Sequence, residues 1–308
     1  MAAQGHRRRA AMATAMAGGL ALGLLVTGCA EQEPDGDGQD GTAGGGAEAR
    51  WAVRTADAVH PGRAVEAMRR VAGALARTGG ARVRTSMETE SGGTRLTILG
   101  RGVYDFARPV GRLTVRVPQD ARGTAEHRPI TEVFTPGALY MKNRGAGVPP
   151  EKWVRLDTAA LPDGDLLTSG ATDPLAAAEL LGGAREVTSM RDEGLDGMPV
   201  RHFWGTIDLA EAARRAPARD RAVLTAAARG FSAGTVAFDA FLDEEGLPRL
   251  LRYRFGVDER EEAADGSGAG KRTTVVSTVE LSSFGFAPDI RLPESGDIYA
   301  GRVRSPRK

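Results

Sequence analysis

The chain has one cysteine, Cys29, and it stands where a thiol has a specific use. It follows Val26, Thr27 and Gly28, an aliphatic residue and then two small ones. This is the lipobox pattern: a peptidase cuts an extended stretch just before the cysteine, whose sulfur carries a diacylglyceryl thioether. With an N-acyl chain such as palmitate added, several chains anchor stably where a single one is marginal. The residues before it agree. His6, Arg7, Arg8 and Arg9 make a positive start, and Ala10 to Val26 then run without a charge. That run is too short and too rich in Ala and Gly for a comfortable membrane span, and it suits the apolar stretch of a signal peptide. Residues 1–28 therefore read as a lipoprotein signal. The rest reads as a chain held on the extracytoplasmic face of the cell membrane. A plain secretory signal or a buried apolar helix explains less, because the only Cys falls at the one place this chemistry requires. The triple Arg also leaves a twin-arginine export route open, although Ala10, Ala11 and Met12 fit that pattern weakly.

Elsewhere the residue types that do chemistry do not gather into a pattern. His6 lies in the signal, His60 beside the following linker, and His127 and His202 far apart. No H-E-x-x-H, C-x-x-C, G-x-S-x-G or Walker loop occurs. Ser305-x-x-Lys308 matches S-x-x-K only in the terminal tail. The Gly36–Gly41 stretch matches G-x-G-x-x-G, but no strand precedes it and no helix follows. Asp35, Asp37 and Asp40 have neither the spacing nor the closing Glu of a calcium loop. His202 stands in a strand pattern beside Phe203 and Trp204, where a satisfied strand histidine is the ordinary reading. The expectation is therefore a protein that is not an enzyme and needs no cofactor or metal. A hydrolase built on His202 is a minority alternative. Three of the 41 basic residues precede Cys29 and none of the 40 acidic ones does, which leaves 38 against 40. A balance so near neutral gives no reason to expect nucleic acid.

The elements that position any site begin after residues 29–50. That stretch is acidic and Gly-rich with almost nothing to bury, so it reads as a disordered tether. Its length corresponds to roughly 25 Å root-mean-square, from about 5–6 Å × √n. Residues 51–300 read as one domain, with a basic tail at 301–308. After Pro61, Val65, Met68, Val71 and Leu75 recur at helical spacing, predicting a helix over 61–77. About ten strands follow in meander order, beginning with an alternating run at 95–106. Asp173-Pro174 predicts a capped helix through Leu181. A second helical stretch spans 208–229, with a break at Pro217. One-sided alternation argues for a single curved antiparallel sheet with one wet face and helices on its concave face, an α+β half-barrel. The candidate inward residues are Leu96, Ile98, Leu113, Val115, Phe134, Leu139, Met141, Trp153, Phe203, Phe238, Leu242, Tyr253 and Phe255. They form a plain core if the helices pack tightly. They line an apolar ligand cavity if the helices stand off.

Several short pieces occur in an order that resembles a known family. These are Leu139-Tyr140-Met141-Lys142, Lys152-Trp153-Val154-Arg155-Leu156, Asp173-Pro174-Leu175 with Leu180-Leu181, and Gly197-Met198-Pro199-Val200-Arg201-His202-Phe203. Leu242-Asp243-Glu244-Glu245-Gly246-Leu247-Pro248-Arg249 and Leu281-Ser282-Ser283-Phe284-Gly285 follow. Together with the lipobox and the acidic linker they resemble the LppX/LprA/LprF/LprG lipoproteins, which share the half-barrel fold of the LolA/LolB carriers. The likeness spans most of 61–292 and departs from the family in the charged 258–271 loop and the basic tail. It implies binding or transfer of an acylated lipid or glycolipid, with no catalytic residues. The alternative is a membrane-anchored sensor or assembly module that binds an envelope protein and carries no lipid, with its concave face filled.

Overall fold

The computed structural model describes residues 61–91, 94–117, 128–144, 147–231, 233–259 and 271–301. The expected signal, Cys29 and its tether, the 35–41 patterns, His60, His127, residues 260–270 and the tail from 302 onward lie outside them. The described residues all fall in one compact unit, Arg54–Lys308. Its apolar cluster runs from Ala64 to Leu281 and closes within that unit. The unit thus carries its own core, the condition for folding by itself.

Two meanders make one sheet. The first is β1 (Gly80–Ser91), β2 (Thr94–Asp105), β3 (Val110–Arg116), β4 (Ile130–Thr135), β5 (Ala138–Lys142) and β6 (Trp153–Asp157). The second is β7 (Ala184–Leu195), β8 (Met198–Asp208), β9 (Thr235–Leu242), β10 (Pro248–Glu259) and β11 (Lys271–Phe286). The strand order is β6-β5-β4-β3-β2-β1-β11-β10-β9-β8-β7, and every neighbouring pair is antiparallel. Among the described residues four α-helices accompany it: α1 (Pro61–Leu75), α2 (Pro174–Leu180), α3 (Leu209–Arg215) and α4 (Ala218–Gly230). The fold class is the expected α+β with a single antiparallel sheet.

The eleventh strand is β1, which the reading of ten strands passes over. Its wet face carries Arg82, Arg84, Ser86 and Glu88, and only Ala81, Val83, Thr85 and Met87 face the core. So little apolar content reads as loop. Yet β1 pairs with both β2 and β11 and joins the two meanders. Its long-range partner supplies the stability its composition lacks.

Alternation fixes the inner face. On β3 Leu113 and Val115 are buried while Arg112, Thr114 and Arg116 are exposed. On β10 Leu251, Tyr253 and Phe255 are fully buried. α2 and α3 begin at side-chain caps. The Asp173 side chain accepts from the Leu175 and Ala176 amides and Pro174 is the first residue of α2. The expected 208–229 helix breaks at Ala216–Pro217 into α3 and α4, because proline has no amide to continue the ladder. Among the described residues no helix is long and apolar enough to cross a membrane.

The connection from β6 to β7 joins strands at opposite edges of the sheet, so it must cross a face. It crosses the inner one. Residues 161–172 form a strap, followed by α2. Thr172 Oγ1 lies 2.6 Å from Ser277 Oγ on β11, and the Tyr253 hydroxyl donates to the Ala177 carbonyl at 2.6 Å. The strap is also pressed against α4, since a Cβ on Gly164 would collide with the Val223 carbonyl.

Candidate functional site

The strap and α2 occupy much of the space in which a ligand cavity was expected. Leu113 and Val115 on β3, Phe134 on β4, and Leu139 and Met141 on β5 are each at most 5% exposed. So are Phe203 on β8, Phe238 and Leu242 on β9, and Tyr253 and Phe255 on β10. All ten belong to one packed cluster, and Ile98 packs partly buried against it. Two of the thirteen stand elsewhere. Leu96 has inner-face parity but is 39% exposed, because it lies near the free end of β2. Trp153 is on the outer face. The register pairs it with Lys142, while the inner-face pair beside it is Met141–Val154. The Lys142 ammonium stands 5.6 Å from the Trp153 ring centre. An aromatic beside a strand start reads as inward from type alone, and register corrects it.

A cleft of about 330 Å³ remains where α1 meets β8 and the β9–β10 turn. Phe203, Leu242, Val200 and Ala67 give it apolar walls, and Asp192, Arg201, Asp243 and Glu244 stand round it. Phe203 and Leu242 are the residues of the expected set that line it. Arg201 shares the parity of Phe203 and lies opposite Leu242 in the register. A guanidinium on a core parity is tolerated only where that face opens to water. Its Nε lies 3.3 Å from Asp192 Oδ1. Asp243 is committed to the turn: it accepts from the Glu245 and Leu247 amides and pairs with Arg249 at 2.7 Å. Sequence reading missed Ala67, Asp192 and Arg201. The available signal was the arginine interrupting the apolar parity of β8.

In and beneath the strap is a second feature, a set of buried and half-buried acids. Glu132 on β4 sits between Leu113 and Met141 in the register, is fully buried, and neither carboxylate oxygen has a hydrogen-bond partner. Burial pushes its carboxyl up to about 8; the Asp165 carboxylate adds to the rise and the Arg144 guanidinium opposes it. Burial likewise holds Asp165 up to about 7, helped by Asp163 and opposed by its bonds to Ser169. Asp173 reaches about 6, raised by burial and held down by the amides it caps. Arg144 ties the strap to the end of β5, donating to the Ser169 carbonyl at 2.9 Å and to that of Thr168 at 3.3 Å. A void of about 30 Å³ near Asp165, Asp173 and Phe134 has room for about one water. Among the described residues no group of three or more His, Cys, Asp or Glu side chains is placed to hold a metal.

His202 lies on the outer face. Its Nε2 is 3.0 Å from Asp239 Oδ1, its Nδ1 is 3.3 Å from Glu193 Oε1, and its ring stacks on Phe241 at 4.1 Å. Both ring nitrogens are engaged by carboxylates, the arrangement of a satisfied strand histidine.

No protein-family model and no curated protein matches the chain. Solved structures do. LprF from Mycobacterium bovis matches with a TM-score of 0.37 and 13% identity, over 76% of this chain and 97% of that one. LppX from Mycobacterium tuberculosis matches with 0.43 and 10% identity, over 75% and 100%. A LolA-superfamily protein from Nitrosomonas europaea matches with 0.28 and 13%, over 76% and 96%. TM-scores below 0.5 mark a loose likeness of layout. LprF and LppX are two of the lipoproteins that the sequence pieces resemble.

Proposed function

We propose that the chain is a lipid-anchored protein of the cell envelope that binds an acylated amphiphile, with the acyl chain in the cleft between α1 and β8–β9. The single observation behind this is the cleft itself: an apolar floor, Phe203, Leu242 and Ala67, with Arg201 beside it. Its volume is at the low end of the about 300–1,000 Å³ typical of ligand sites, which suits part of one chain rather than several. Each methylene buried there contributes about 0.8 kcal/mol, before the cost of ordering chain and side chains. Arg201 would pair with an anionic headgroup in place of Asp192. The anchor is the thioether on Cys29, at the extracytoplasmic face.

The test is titration of residues 54–308 with a single-chain anionic lipid such as lysophosphatidylglycerol. Ala67→Trp fills the cleft and is expected to weaken binding at least tenfold. Arg201→Gln is expected to weaken the anionic lipid but not a neutral monoacylglycerol. Binding that survives Ala67→Trp unchanged, or no binding by the unaltered protein, would end this reading.

One observation favours the second reading, a module that binds an envelope protein. Ten of the thirteen candidate lining residues are packed into the core, as a filled inner face requires. Failure of the lipid titration, with Trp204 (47% exposed) retained as an accessible aromatic on the outer face, would turn attention there.

A further inference from the structure

On the outer face of β1, β2 and β3 the register builds a block of three rows. Across the three strands they read Arg82, Val103, Arg112; then Arg84, Arg101, Thr114; then Ser86, Leu99, Arg116. Five of the nine positions are arginine and none is acidic. All five arginines are exposed, and among the described residues none has an ion-pair partner. Elsewhere on the outer face Arg254 is paired with Asp239 at 3.0 Å and Arg95 with Glu88 at 3.9 Å. Glu280, opposite Arg84 on β11, is the nearest acid along the row and makes no ion pair with it.

This is an uneven use of charge in a chain with 41 basic and 40 acidic residues. Strands about 4.8 Å apart, with same-face residues about 6.6 Å apart along each, put the block within roughly 10 by 13 Å. Arg84 and Arg101 are direct cross-strand partners, an arrangement of like charges that costs stability. Folding gains nothing from it. An external anion would offset the repulsion. Leu99 projects from the same block, 54% exposed, its neighbours Arg116 across the strand and Arg101 along it.

We infer that this arginine block is a docking surface for the anionic headgroups of a phospholipid bilayer. Five guanidinium groups on one exposed face meet the phosphates, and Leu99 enters the headgroup layer among them. The partner follows from charge complementarity and from the anchor expected at Cys29, which holds the domain within a tether's reach of headgroups at high effective concentration. The inference rests on the envelope-anchor reading and not on the cleft.

Co-sedimentation of residues 54–308 with vesicles tests it. Vesicles of phosphatidylglycerol in phosphatidylcholine should bind the protein at low salt, vesicles of phosphatidylcholine alone should not, and about 0.5 M salt should release it. Each arginine is worth about a fivefold change in partitioning, so Arg84→Ser, Arg101→Ser and Arg116→Ser together should lower it about a hundredfold. A control removing three charges elsewhere, Arg70→Ser, Arg185→Ser and Arg229→Ser, should lower it far less, which separates placement from net charge. A cooperative urea transition in each variant establishes that it folds. Ala67→Trp should leave vesicle binding unchanged, so that failure of the cleft is read separately. Equal loss in both triple variants, or binding to neutral vesicles, would overturn the inference. So would retention by soluble polyglutamate with no binding to phosphatidylglycerol, which would assign the face to an acidic protein.

Discussion

Glu132 is placed at a cost to the fold. A carboxyl with no hydrogen-bond partner on a fully buried inner-face position can stay there only as the neutral acid. Held up to about 8 against an ordinary 4.5, it keeps a proton in the folded state that the unfolded chain has already lost. The native state therefore binds more protons, and stability falls as pH rises from about 4.5 through 8. The penalty is absent below that window and fully present above it. Asp165, raised to about 7, acts in the same sense over the lower part of the range. Glu132→Gln should flatten this decline: little change at pH 5, and a gain on the order of 2–5 kcal/mol at pH 8.5. Urea midpoints of the two proteins across that range decide it, and parallel curves would show that Glu132 carries no such burden. The type of Glu132 was plain in the sequence. Its burial was not, because it depends on a strap that arrives from another part of the chain.

The strap is the element that sets how much inner face is left open. It has no helical or strand period, and the Asp163 side chain holds its first turn. Asp163 accepts from the amides of Asp165 at 3.1 Å, Leu167 at 2.8 Å and Thr168 at 2.8 Å, and from the Thr168 hydroxyl at 2.8 Å. Asp163→Ala should cost about 1–3 kcal/mol. It should also speed amide exchange at Leu167 and Thr168 more than in β10, and equal exchange would show that the turn is held from elsewhere. Elements with local signals read correctly: the Asp173 cap with Pro174, the α1 stripe of Met68, Val71 and Leu75, and the break at Pro217. β1 had no such signal, being polar at most of its positions.

At the scale of the whole sheet, the edges decide solubility. β6 is one edge, and the segment after β11 returns to cover it. Trp153 bridges to Ile298, the Tyr299 amide donates to the Trp153 carbonyl at 2.8 Å, and Lys152 Nζ donates to the Gly296 carbonyl at 2.7 Å. An uncovered edge strand templates pairing with another copy. A chain ending at Phe286 should self-associate at concentrations where the longer chain stays monomeric, as read by light scattering. A monomer at the same concentration would show that β6 needs no cover.

The alternation along each strand determined which side chains face inward, and cap chemistry determined where α2 begins, because both are written in neighbours a few residues apart. The lipobox expectation likewise needs only local sequence. Tertiary structure alone decided what lies on the inner face. A connection between opposite edges has to cross it, and that crossing fills the space the alternation left available. It also decided the arginine block. Arg82 and Arg84, Arg101, and Arg112 and Arg116 are separate along the chain, and only the pairing of β1, β2 and β3 sets them side by side. Parity says which face a residue takes; long-range register says what it meets there.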